Sequence, residues 1–175
     1  MITFWSWFLR GSGASPGICR FFDRWLIAHM VVGGALAIIV PLPLKEAATS
    51  LLLPVAGIFI GLSFAWGGNA QALLQSSEVE ALSGFKAGGY EDYVYAFQAA
   101  ILVILVTLGL WGLAGLGVFD FVWPADSGGW PYTVVASVLY FFVSLTLREC
   151  WHVVLGAQSL LLIRFRIRNK NNENG

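Results

Sequence analysis

Residues 93–119 read YVYAFQAAILVILVTLGLWGLAGLGVF, twenty-seven positions between Asp92 and Asp120 without one Asp, Glu, Lys or Arg. About 20 mostly apolar residues cover a hydrocarbon core of roughly 30 Å, so a run of this length is read as a crossing. Every backbone polar group in lipid must be satisfied inside the segment, which makes the run a helix. A membrane barrel would show short alternating strands separated by turns, and the sequence has none.

Working outward, three further charge-free runs appear: twenty residues between Arg24 and Lys45, thirty-one between Glu46 and Glu78, and twenty-one between Asp126 and Arg148. The reading is therefore an all-α integral membrane protein of four transmembrane helices, at about 24–42, 48–67, 94–119 and 131–151. The first span is expected to be retained, because no small-residue cleavage site follows it before a soluble domain. Pro41 and Pro43 mark the first outer turn, and residues 123–131, WPADSGGWP, the second. Pro54 falls inside the second span, where proline is tolerated in membrane helices and is read as a packing feature.

Composition agrees. Charged residues make up 11% of the chain and hydrophobic ones 58%, against roughly 25% charged in soluble domains. The formal net charge is zero, which argues against a nucleic-acid partner. Eight Trp and five Tyr suit the two interfaces of a bilayer.

On the four-span reading, one side collects Arg10, Arg20, Arg24, Lys86, Arg148, Arg164, Arg166, Arg168 and Lys170, and the other only Lys45. The positive-inside rule then places both termini in the cytoplasm, as in a bacterial inner membrane. Cys19 and Cys150 fall on that side and are read as reduced thiols.

Three parts lie outside the spans. Residues 1–20 form an aromatic interfacial segment and a Gly/Ser linker. Residues 69–92 make a weakly amphipathic cytoplasmic segment, with Glu78 interrupting its apolar face. The membrane domain, residues 24–152, is followed by 153–175, where Leu155, Leu160, Leu161 and Leu162 continue an apolar helix beyond the expected span. Either that helix projects into the cytoplasm and is covered by a partner surface, or the span shifts inward and carries Arg148, Glu149 and His152 into the membrane. Projection is the reading adopted here, since burying two charges costs several kcal/mol.

Arg148, Glu149, His152 and Glu78 thus join the leucines as a candidate assembly or functional interface. Arg164, Arg166, Arg168 and Lys170 are candidate contacts to anionic headgroups. Gly57 and Gly61 stand four apart, the spacing that lets helix backbones approach, and Gly109, Gly112 and Gly115 form a second small-residue stripe.

Chemistry is hard to find. Two Cys and two His at no ligand spacing make a zinc site an unfit reading. Cys150 and His152 are two residues apart and face different sides of a helix. His29 is read as interfacial packing. Phosphate loops, paired carboxylates and hydrolase or kinase motifs are missing. No catalytic, cofactor or metal site is expected. The expectation is a non-enzymatic, self-associating inner-membrane subunit that anchors or regulates a cytoplasmic protein partner, a form that suits a stress or phage-defence system. An oligomeric channel or membrane-perturbing effector, with Ser and Thr of the last two spans facing a pore, is the alternative. A membrane enzyme using Cys150 or His152 ranks behind both.

Overall fold

The computed structural model describes residues 3–11, 17–40, 42–74, 89–124 and 129–173, and every regular element among them is helical. In chain order these are α1 (Phe4–Arg10), a 3-10 turn (Gly17–Phe21), α2 (Arg24–Ile39), α3 (Leu44–Ala47), a π-helical turn (Ala48–Leu52) and α4 (Leu53–Leu74). They are followed by α5 (Gly89–Gly115), α6 (Val118–Val122) and α7 (Trp130–Glu173).

Local chemistry sets several of these boundaries. Asp23 is the N-cap of α2, its carboxylate accepting from the backbone N–H of Trp25 at 3.0 Å and Leu26 at 3.1 Å, which satisfies two of the donors a helix start leaves over. Pro54 sits two residues after the π turn, as the second residue of α4. A proline lacks the N–H for its helical bond and its ring presses on the carbonyl four residues back. The widened turn over Ala48–Leu52 accommodates that mismatch. α5 ends before Gly117, whose φ of 78° lies in the left-handed region that a Cβ disfavours.

The chain divides into two compact units. One comprises Met1–Arg20, Gly61–Ala100 and Cys150–Gly175. In it the aromatic α1 stacks on the start of α5, with Trp7 and Tyr95 ring centroids 5.6 Å apart and Phe4 and Tyr95 6.2 Å apart. Trp7 is buried and lies so close over Gly17 that no side chain fits there. Arg20 donates to the carbonyl of Ala96 at 3.1 Å.

The other unit comprises Phe21–Ile60 and Ile101–Glu149. Its core is Leu44, Ala47, Ala48, Trp111, Ala114, Ala136, Leu139 and Tyr140. Small residues from three helices let the backbones close on Trp111, whose indole N–H donates to Leu139 O at 3.1 Å. A buried Trp needs such a partner for its one polar group.

The four-span expectation is corrected here. Among the described residues two helices are long and apolar enough to cross a membrane, Val94–Gly115 and Trp130–Ser159. A third crossing exists only if the pair Arg24–Ile39 and Leu44–Ser50, bent by 114°, is counted as one span. The physical reasons lie in the prolines. α2 stops after 16 residues, about 24 Å of helix and short of the core's roughly 30 Å, because the Pro41–Pro43 stretch cannot continue its ladder. The charge-free run that stood for a second span is divided. Its beginning folds back as the bent partner of α2, the π turn follows, and α4 is not among the helices that pass. This is therefore not a four-helix transmembrane bundle, and the nine-to-one partition of basic residues, counted on the loops of such a bundle, falls with it.

Candidate functional site, a polar seam along two helices

α2 and α7 run antiparallel within the unit formed by Phe21–Ile60 and Ile101–Glu149, and polar contacts recur down their seam. At one end Arg148 grips Asp23 with both guanidinium nitrogens, Nη2 to Oδ2 at 2.7 Å and Nη1 to Oδ1 at 3.3 Å. A two-point, charge-assisted pair of this kind fixes orientation as well as energy. The same guanidinium has its Nε 3.9 Å from Oε1 of Glu149, so it stands between two carboxyl groups. Glu149 is fully buried, at 0% exposure.

Farther along, His29 Nδ1 and Ser144 Oγ lie 2.7 Å apart. At Gly33 the helices touch. A Cβ there would meet Phe141 N at 2.7 Å, Phe141 Cα at 2.8 Å and Ser137 O at 2.8 Å, distances at which backbone would have to move. At the far end Tyr132 accepts from Leu44 N at 2.9 Å, and Asp120 Oδ2 accepts from Lys45 N at 3.1 Å. Pro43 supplies no side-chain cap to α3, so α6 and α7 cap it from outside.

The expected site residues distribute as follows. Arg148, Glu149 and His152 all lie within the 30 residues of Trp130–Ser159, a stretch longer than the roughly 20 residues a crossing needs. Cys150 is buried and His152 half-buried. Leu155, Leu161 and Leu162 are exposed, at 43%, 44% and 61%. Leu160, Arg164, Arg166, Arg168 and Lys170 belong to the last turns of α7, and Glu78 lies outside the described residues. A Cβ at Gly57, Gly61, Gly109 or Gly112 would meet nothing within 4 Å, whereas one at Gly115 would make ordinary contact with Leu53, Thr49 and Ala48.

Three hydroxyls of the two long helices have partners within the chain. Thr146 donates to Thr107 at 2.7 Å, Thr107 to Val103 O at 2.9 Å, and Ser137 to Thr133 O at 2.7 Å. No group of three or more His, Cys, Asp or Glu suited to a metal ion occurs among the described residues.

No protein-family model, curated protein or solved structure matches this chain.

Two partners of the seam went unread in the sequence. Asp23 carried a signal, an acidic residue directly before an apolar helical run, which marks an N-cap. Tyr132 carried none, because a tyrosine near a span end reads equally well as an interfacial anchor.

What the seam does chemically is hold α2 against α7 in one register. An arginine inside a membrane helix is expensive alone and is retained where a carboxylate meets it. The bidentate geometry leaves the guanidinium side chain 12% exposed and the Asp23 side chain 37% exposed, so the cation is the more deeply covered partner.

Proposed function

We propose that the chain is a non-enzymatic, self-associating membrane subunit, multi-pass and seated in a bacterial inner membrane. The basic end of α7 faces the cytoplasm, where it holds a protein partner. The observation that carries this is the length and surface of α7. Its 44 residues make about 66 Å of helix, more than the 40–45 Å of a whole bilayer with its headgroups. Past Ser159, where the membrane-competent stretch ends, Leu161, Leu162 and Phe165 are exposed at 44%, 61% and 64%. Large apolar side chains crowded on a helix outside lipid are the mark of a contact surface. The open glycines of α5 offer a second such face inside lipid: Gly109 and Gly112 share a stripe with the exposed Leu105 and Leu113, and close backbone approach drives helix association there.

Native mass spectrometry of the detergent-solubilised full chain, beside a chain lacking residues 160–175, tests the proposal. A defined oligomer that dissociates on truncation is expected. A monomer in both forms, or the same oligomer in both, would sink it.

A further inference from the structure

The unit formed by Phe21–Ile60 and Ile101–Glu149 contains an apolar groove of about 300 Å³, at the lower end of the size of small-molecule pockets. Leu53 and Ala56 of α4 form one wall, Trp111 of α5 and Leu147 of α7 the others, and Thr107 and Thr146 contribute the polar atoms. Those atoms are already committed. The Thr146 hydroxyl donates to Thr107, the Thr107 hydroxyl to Val103 O, and the Trp111 indole N–H to Leu139 O. No donor is left over to recognise a polar ligand, and water is poorly held in a lining of this kind.

The medium around the groove decides what fills it. Thr107 and Trp111 belong to Val94–Gly115, Thr146 and Leu147 to Trp130–Ser159, the two helices long and apolar enough to cross a membrane. In a bilayer the solvent at those positions is hydrocarbon. A groove between helices then presents aliphatic walls on several sides of any chain that enters, whereas the outer surface of a helix presents one. We infer that this groove seats an acyl chain of a bilayer phospholipid as a bound lipid. The inference rests on the membrane placement and is independent of self-association.

The test is phospholipid retention by the full chain. Protein extracted in a mild detergent is passed through a stripping detergent, and bound phospholipid is counted by native mass spectrometry. Wild type is expected to keep one phospholipid per chain. Ala56→Phe, which fills the groove, is expected to lose the retained lipid, and Ala56→Val, which fills part of it, to keep less than wild type. Gly34→Ala, at a position where a Cβ meets nothing within 4 Å, retains lipid as wild type does. If Ala56→Phe does not fold, Ala56→Val carries the comparison. Absence of a retained lipid on wild type, or equal retention by wild type and both Ala56 variants, would overturn the inference. So would a second copy of the chain found in place of the lipid and released by Ala56→Phe. Subunit number is read from the same spectra, so a monomer that keeps its lipid separates this inference from the proposal of self-association.

Discussion

Asp23 serves two helices through one carboxylate, capping α2 by its bonds to Trp25 N and Leu26 N and receiving Arg148 from α7. The two roles can be separated by substitution. Asp23→Asn keeps a cap and loses the ion pair; Asp23→Ala loses both. Losing a cap costs about 1 kcal/mol. Removing one member of an ion pair costs about 3 kcal/mol where both groups are buried, and less here because the Asp23 side chain is 37% exposed and Glu149 stays beside the guanidinium. Unfolding in detergent is expected to rank the loss as Asp23→Ala about 2–3 kcal/mol, then Asp23→Asn. Arg148→Met, which removes the buried cation itself, should be milder than Asp23→Ala. In the Asp23→Ala, Arg148→Met double variant the two losses should fall short of additivity. Additive losses would show that the pair contributes nothing beyond its separate ends.

At the scale of elements, the contact of α2 with α7 turns on a pair of adjacent glycines with opposite surroundings. A Cβ at Gly33 would sit 2.7–2.8 Å from the backbone of Ser137 and Phe141, while one at Gly34 would meet nothing within 4 Å. Gly33→Ala must push two helices apart and is expected to destabilise by about 1–3 kcal/mol. Gly34→Ala should stabilise by about 0.5–1 kcal/mol, because alanine loses less backbone freedom in a helix interior. The same thermal or denaturant unfolding reads both, and equal signs would refute the seam. Sequence could point to neither member of this pair. Gly33 and Gly34 look alike in a run of small residues, and which one faces α7 depends on the rotation of a helix whose apolar residues surround it. What was legible was the helical character of the described residues and the existence of two strongly apolar spans. Charge-free length overstated the crossings. It counts residues between charges and does not see that Pro41 and Pro43 end α2 after 16 residues, or that Pro54 is preceded by a π turn.

For the molecule as a whole, the number of crossings follows from which segments are long enough to be stable in lipid by themselves. Placed one at a time in a membrane-insertion reporter, residues 94–115 and 130–159 are expected to insert. Residues 24–39, about 24 Å as a helix, should insert poorly alone and gain only when residues 40–50 are included. Efficient insertion of 24–39 by itself would restore the first of the four expected spans. The two compact units divide α4, α5 and α7 between them.

The Asp23–Arg148 contact joins residues 125 positions apart, and that separation has a meaning in time. A ribosome adding about 5–20 residues per second makes Arg148 some 6–25 seconds after Asp23. Through that interval the start of α2 carries its own cap but lacks the guanidinium that later ties it to α7. Any factor that attends this chain during its synthesis meets a helix start whose capping carboxylate has not yet received Arg148.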